Sequence, residues 1–230
     1  MGMGAVDYAL HSGRNPKLLV VADINKERLE RAKRMFPQDE AAALGTRLVF
    51  QDLSGVENPV ALLRQYSPDG FDDVFAFAPV SSVCEMASAV LGRDGCLNFF
   101  AGPTDKQFSA KLNYYDVHYN STHVIGTTGG NIDDLKESLR LSASGKTNPA
   151  VMITHVGGLN VAAETTLNLP KIPGGKKLIY THLNMPLTAI SDFPALGEKD
   201  PRFAALAEIT EAHRGLWCPE AEDYLLHHWE

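Results

Sequence analysis

The spacing of apolar and polar positions changes period repeatedly along the first two-thirds of the chain. Lys17 to Ala22 (KLLVVA) is an apolar run of strand length that ends at Asp23, and a parallel setting would bury it on both faces. The period then lengthens. Leu29, Ala32 and Phe36 share one helical face up to Pro37, Asn25 stands at the N-cap, and Ile24 and Leu29 occupy the positions of a hydrophobic staple. The same exchange recurs in Arg47 to Gln51 (RLVFQ), a strand, and Asn58 to Tyr66, a helix stopped by Ser67-Pro68. Asp72 to Phe77 (DDVFAF) is a third strand. Ser81 or Ser82 caps a helix up to Leu91, and Gly92-Arg93-Asp94-Gly95 turns into a fourth strand, Cys96 to Phe100. His123 to Gly126 is a fifth, before a helix capped by Asn131, with Asp133 and Asp134 in its first turn, a shared face of Leu135, Leu139 and Ala143, and Gly145 at its end. Ahead of all these, Gly4 to Leu10 reads as a helix that closes near Gly13.

Past Pro149 the rhythm is different. Val151 to His155 reads as a strand, Asn160 to Leu169 as a helix ended by Pro170, and Lys177 to Tyr180 as a strand after the Gly174-Gly175 turn. Helices follow over Pro201 to His213 and Pro219 to His228, and no internal repeat is present. Strand–helix alternation predicts an α/β fold, a doubly wound, mostly parallel sheet over 17–145 with helices on both faces. The division expected is a nucleotide-type domain over 1–150 and a return segment with a helical tail over 151–230.

Composition narrows the function. The net charge of −7, from 21 basic and 28 acidic residues, removes the general phosphate attraction that nucleic-acid binding needs. No apolar run reaches the roughly 20 residues of a membrane span, and Met1-Gly2-Met3-Gly4 lacks the basic and apolar parts of a signal peptide. A soluble cytoplasmic protein is expected. Cys84, Cys96 and Cys218 are odd in number and unevenly spaced, which fits neither a disulfide framework nor a zinc knuckle.

Asp23 offers chemistry. A carboxylate at the tip of a buried strand, some 20 residues after a glycine turn, is the second half of a dinucleotide fingerprint, because it accepts hydrogen bonds from the adenosine ribose. Asp23 follows Gly2 by 21 residues. The competing reading is an ordinary turn acid. Met1-Gly2-Met3-Gly4 supplies only the last part of G-x-G-x-x-G.

Read together, LLVVADIN (Leu18 to Asn25), FDDVFAFAPVSSVCEMASAVLGRDGCLNFFAGP (Phe71 to Pro103), HVIGTTGGNIDDLKESLRLSASGK (His123 to Lys146) and ITHVGGLNVAAETTLNLP (Ile153 to Pro170) resemble the cofactor half of the zinc-type medium-chain dehydrogenase/reductases. PGGKKLIYTHLNMPLTAI (Pro173 to Ile190) and the acidic tail are most similar to the L-sorbose 1-phosphate reductase and polyol dehydrogenase branch. The resemblance implies a Rossmann-like domain with Gly2 at the last glycine of the phosphate turn. It implies Asp23 as the ribose acid, hence NAD, with NADP left open by Lys26 and Arg28. Ala78-Pro79-Val80, Ala101-Gly102 and Thr127-Thr128-Gly129 would be the loops along which the cofactor lies. It also implies a homodimer and a small polyol or sugar-phosphate substrate.

Two family parts have no counterpart here: the GroES-like domain with its zinc ligands, and the central first strand of the sheet. The expectation is therefore an N-terminally incomplete chain, with zinc confined to the missing domain and no catalysis by these residues alone. Two classes remain open: the cofactor portion of an NAD(P)-linked oxidoreductase, or a non-catalytic nucleotide-fold module for binding or oligomerisation.

The remaining residues invite plainer readings. The spacings of His213, Cys218, His227 and His228 fit no common zinc pattern, so the expectation is no metal site. His155 faces either the cofactor or a structural partner. Lys171, Lys176 and Lys177 suit either a sugar phosphate or a solvated turn, and Cys84 reads as core.

Overall fold

Parallel pairing organises the first part of the chain in the computed structural model, which describes residues 1–229. Strand β1 (Leu18–Asp23) runs parallel to β2 (Arg47–Asp52) and places Asp23 opposite Asp52 at their carboxyl ends. A second parallel sheet contains β3 (Phe71–Ala76), β4 (Leu91–Phe99) and β5 (His123–Gly126) in sequence order. In the third, β6 (Ile153–Gly158) is central, parallel to β7 (Lys176–Tyr180) and antiparallel to the short β8 (Thr188–Ala189). Parallel sheets with intervening helices are the Rossmann-like α/β architecture that the alternating pattern predicts. The strands over 17–145 pair as two parallel sheets, β1-β2 and β3-β4-β5, rather than the single sheet expected, because no strand among the described residues hydrogen-bonds one set to the other.

The chain divides into two compact units. The first is Met1–Asp52 together with the chain from Arg140 onward, and the second is Leu53–Leu139.

In the first unit, α1 (Gly2–His11) buries Val6 and Leu10, and α2 (Lys26–Met35) buries Leu29, Ala32 and Met35. Asn25 caps α2 as its position predicts, its side-chain oxygen accepting from the Arg28 N–H at 3.0 Å. The staple does not form as expected, because Ile24 is 71% exposed. A short α3 (Gln38–Ala43) buries only Ala41, so no apolar period announces it. Val6, Leu10, Met35, Phe36, Ala41, Leu48 and Val151 make one core. Strand β1 is half-buried rather than buried on both faces, since within its sheet it has β2 as its single neighbour.

The start of β6 also differs from the pattern. Pro149–Met152 is a 3₁₀ turn because Pro149 fixes the backbone at its first position and the Asn148 side chain caps it, accepting from the Ala150 N–H at 3.0 Å. The tail forms α8 (Ala162–Asn168), α9 (Phe193–Gly197), α10 (Pro201–Ala212) and α11 (Pro219–His228). Val156, Met185, Phe193, Leu206, Ala221 and Leu225 are fully buried there, packed with Trp217 and Trp229. The Tyr180 hydroxyl accepts from Trp217 Nε1 at 2.9 Å and donates to Glu222 at 2.5 Å, which ties β7 to α11.

In the second unit, α4 (Pro59–Arg64) starts at an Asn58 cap, and α5 (Ser81–Ala89) and α6 (Tyr114–Tyr119) follow. α7 (Ile132–Ala143) carries the chain back into the first unit. Ala76, Ala87, Leu91 and Leu97 form the core. Strand β4 begins at Leu91, so the turn expected at Gly92 to Gly95 lies inside it, with a register shift opposite Phe71 and Asp73 and Asp94 at φ 59°. The shift rests on Gly70, whose φ is +94° and where a Cβ would come within 2.4 Å of the Gly92 nitrogen. Val80, rather than Ser81 or Ser82, is the N-cap of α5, because the Ser81 hydroxyl donates instead to the Ser109 carbonyl at 2.7 Å. On α7, Leu135 and Leu139 are exposed and Leu141 is the buried residue, so the expected face is not the buried one. No helix among the described residues is long and apolar enough to cross a membrane.

Leu225 has no exposed surface, and both tryptophans of the chain lie in its core. Leu225→Ala is expected to cost about 2–5 kcal/mol, read as an earlier urea midpoint by tryptophan fluorescence. A loss under about 0.5 kcal/mol, the scale of a surface substitution, would contradict this core assignment.

Candidate functional site

The carboxyl ends of parallel strands are where open α/β sheets receive ligands, since loops and helix starts converge there. In the second unit, Ala78-Pro79-Val80 follows β3 and leads into α5, and Ala101-Gly102 follows β4. The Phe100 and Ala101 N–H groups donate to the Ala76 carbonyl at 3.1 and 3.0 Å, which fixes the β4 exit beside the end of β3. Thr127-Thr128-Gly129 follows β5, and Gly129 at φ 109° turns the chain toward α7. There Asn131 accepts from the Asp133 and Asp134 N–H groups at 2.8 and 3.0 Å, while Asp134 accepts from the Asn131 N–H at 2.8 Å. All three predicted loops thus leave one end of one sheet.

One residue before the end of β4, Asn98 Oδ1 is buried and has no hydrogen-bond donor in the structure. An unsatisfied buried acceptor costs about 1–3 kcal/mol, so the site suits a donor supplied from outside the chain. A nicotinamide cofactor, rich in hydroxyl and amide donors, fits that requirement.

Gly2 and Asp23 belong to the first unit. Gly2 opens α1, whose first turn carries no acidic residue to oppose a phosphate. Asp23 Oδ1 accepts from the Asn25 N–H at 2.9 Å, and Oδ2 lies 3.7 Å from the Arg28 guanidinium. Beside it, Asp52 at the end of β2 is 3.7 Å from Lys26 Nζ. The turn reading and the ribose reading of Asp23 are compatible, because one oxygen serves the turn while the carboxylate keeps lone pairs for a hydroxyl donor. Arg28 and Lys26 supply the positive charge that a phosphate on that ribose would need.

The residues with two open readings resolve differently. Lys177 Nζ donates to the carbonyls of Ile172, Pro173 and Gly175 at 3.4, 2.8 and 2.8 Å, so it holds its own turn, and burial lowers its pKa. Lys171 and Lys176 are exposed. His155 Nδ1 lies 2.9 Å from Thr154 Oγ1, which also accepts the Gly175 N–H at 2.8 Å. Burial, with Lys177 adding to it, lowers the His155 pKa, and Asp192 opposes the shift. Cys84 is buried, and burial followed by the charge of Glu85 raises its thiol pKa, the opposite of an activated nucleophile.

Sequence spacing passed over one cluster. His213, Cys218 and Glu220 place one ligand atom each within 4.8 Å of one another, a sulfur, nitrogen and oxygen set of the kind zinc takes. His227 and His228 lie outside it, their Nδ1 atoms 2.7 Å from the carbonyls of Asp223 and Tyr224. The signal available in the sequence was Cys-Pro-Glu at a helix start, just after His-Arg-Gly.

Comparison with known proteins identifies the family. The family described as zinc-binding dehydrogenase matches residues 1–144. The uncharacterized protein YggP of Escherichia coli is 52% identical over 227 residues, covering 98% of this chain and 53% of the relative. Mannitol-1-phosphate 5-dehydrogenase of Aliivibrio fischeri is 49% identical, covering 100% of this chain and 55% of its own length. L-sorbose 1-phosphate reductase of Klebsiella pneumoniae is 47% identical, covering 100% and 53%. The chain spans about half the length of the curated relatives it matches. Among solved structures, 2R,3R-butanediol dehydrogenase from Bacillus subtilis superposes with a TM-score of 0.61 at 17% identity, over 79% of this chain and 48% of that one. A short chain alcohol dehydrogenase of Escherichia coli in complex with NADH does so with a TM-score of 0.58 at 13% identity, over 77% and 48%. A zinc-binding dehydrogenase of Sinorhizobium meliloti bound to NADP gives 0.55 at 13%, over 76% and 49%.

The His155 imidazole is expected to titrate below the free value of about 6.5. Between its folded and unfolded values the unfolded chain binds more protons, so this contribution to stability is complete above the unfolded value and is lost as pH falls from there through the folded value. NMR titration of the ring checks this; a midpoint at or above the free value would show His155 to be solvated, and Lys177→Met should raise the midpoint.

Proposed function

The chain belongs to the zinc-binding dehydrogenase family, and on that premise we propose that it is the cofactor-binding portion of an oxidoreductase transferring hydride between NAD(P)H and a polyol, ketose or sugar phosphate. The observation that carries the reading is the position of the candidate residues: Asp23 at the carboxyl end of β1, and three loops at the carboxyl ends of β3, β4 and β5. Two relatives named for mannitol 1-phosphate and L-sorbose 1-phosphate support a phosphorylated polyol or ketose as substrate. The nucleotide-type part would extend over 1–150 and the return segment over 151–230, in the cytoplasm.

In this reading the start of α1 at Gly2 receives the pyrophosphate, whose charge the helix N-terminus favours. Asp23 accepts from the ribose hydroxyls. Ala78, Pro79, Val80, Ala101, Gly102, Thr127, Thr128 and Gly129 hold the rest of the cofactor by backbone and small side chains, which allow close approach. Zinc, when bound, polarises the substrate oxygen as a Lewis acid. Asp23 favours NAD, since its charge repels a 2′-phosphate, and Arg28 at 3.7 Å moderates the preference. The four residues of β5 are exposed and pair only with β4 among the described residues, an open edge suited to a second copy of the chain.

Turnover is expected only when the remaining part of the longer relatives' length is also present. The test compares the 230-residue chain, alone and joined to the part of the Escherichia coli relative that it does not match, in nicotinamide absorbance assays over polyols and sugar phosphates. Turnover by the chain alone without added metal would overturn the proposal, whereas cofactor binding without turnover in the joined protein would favour a non-catalytic module.

In the joined protein, Asp23→Ala is expected to lower the preference for NAD over NADP roughly tenfold. A change within about twofold, roughly 0.4 kcal/mol, leaves Asp23 a turn acid only. Sedimentation should show a dimer at micromolar concentration, and a monomer there rules out the β5 pairing.

A further inference from the structure

The turn between α10 and α11 is fixed more firmly than its length requires. Arg214 and Gly215 are both left-handed, at φ 60° and 77°, and the Gly215 N–H donates to the Thr210 carbonyl at 2.7 Å. Arg214 grips both oxygens of Glu40, at 2.9 and 2.5 Å, and Arg34 pairs with Glu211 one turn earlier. Trp217, buried, is anchored through its indole N–H to Tyr180. Between these anchors the chain presents His213 on one side and Cys218 with Glu220 on the other.

We propose that His213 Nε2, Cys218 Sγ and the Glu220 carboxylate are three ligands of a zinc ion, with water in the fourth position on the solvent side. Their atoms lie within 4.8 Å of one another, and His213 Nε2 is 3.5 Å from Glu220 Oε2. Tetrahedral zinc with bonds of about 2.0–2.3 Å separates neighbouring ligand atoms by roughly 3.3–3.8 Å, so the group closes on an ion by small side-chain rotations. Cys218 is buried, while His213 and Glu220 are partly exposed, which places the sulfur beneath the ion and leaves an open face toward water. Cys218 is also the N-cap of α11, and burial raises its thiol pKa, so the thiolate would form against the charge of the ion itself. Without metal, the thiol and the imidazole both lie beside the Glu220 carboxylate. Zinc replaces these contacts, and the thiol proton passes to solvent. A thiolate and an imidazole select zinc over magnesium or calcium. The ion would fasten the α10–α11 turn.

Cobalt(II) is the probe, added to the metal-stripped 230-residue chain. One equivalent is expected to produce a sulfur-to-cobalt charge-transfer band and tetrahedral visible bands, both displaced by zinc. Cys218→Ser should abolish the charge-transfer band, and Cys96→Ser should leave it intact. His213→Ala and Glu220→Gln alter side chains with exposed surface, so the fold should survive, and each should weaken binding tenfold or more. Zinc should raise the Tm of the native chain and not of Glu220→Gln. No charge-transfer band at one equivalent, or a band that persists in Cys218→Ser or with undiminished affinity in both His213→Ala and Glu220→Gln, would overturn the assignment.

Discussion

Arg31 holds together segments that the sequence keeps far apart. From α2 its guanidinium donates to the Val151 carbonyl at 3.0 Å and the Ile153 carbonyl at 3.1 Å, the last turn before β6 and the first residue of it. Those carbonyls sit where a 3₁₀ turn gives way to a strand, so backbone geometry alone leaves them short of partners. Burial lowers the Arg31 pKa, and two charge-assisted bonds offset that desolvation. Around this bond are others of the same reach: Asp7 accepts the Asn148 N–H at 2.7 Å, and Val151 joins the core of α1, α2 and β2. The position of Asp23 at the β1 tip depends on α2, and α2 is held to the later chain by Arg31.

Polar side chains in the return segment divide by what they touch. Lys177 and Thr154 bond to neighbouring backbone and hold the Pro173 to Gly175 turn, which leaves no ammonium at Lys177 for a substrate phosphate. At the β1 and β2 tips, by contrast, acids and bases lie 3.7 Å apart and partly exposed. Such solvated pairs contribute little to stability and yield readily to a ligand. The cofactor reading therefore rests on groups whose present contacts are weak, and the structural lysine is one whose contacts are numerous.

Legibility followed the range of the interactions. Strands β1, β2, β3 and β5 and the helix starts at Asn25, Asn58 and Asn131 were readable because strand runs and Asn caps act within a few residues. The beginning of β4 was not, since Gly92 and Gly95 signal a turn locally while Gly70 across the sheet permits a bulge. Leu135 and Leu139 gave a helical period, and nothing in that period tells which face a neighbour covers. The candidate loops were legible because a strand's carboxyl end is a sequence position. The His213, Cys218 and Glu220 group was illegible because it depends on Arg214 in a left-handed conformation, which residue type does not advertise.

The first unit is discontinuous along the chain, and the second is inserted within it at Leu53–Leu139. During synthesis the second unit emerges with all its strands available for pairing before Val151 and Ile153 leave the ribosome to receive Arg31. Until then α1, α2 and the β1-β2 pair lack the cover that Val151 and Met152 give their core. Local contacts form early and long-range ones must close a loop spanning the entire insertion, so the inserted unit leads assembly and the enclosing unit completes it. The interval between the two is when this protein is most open to chaperones and to aggregation.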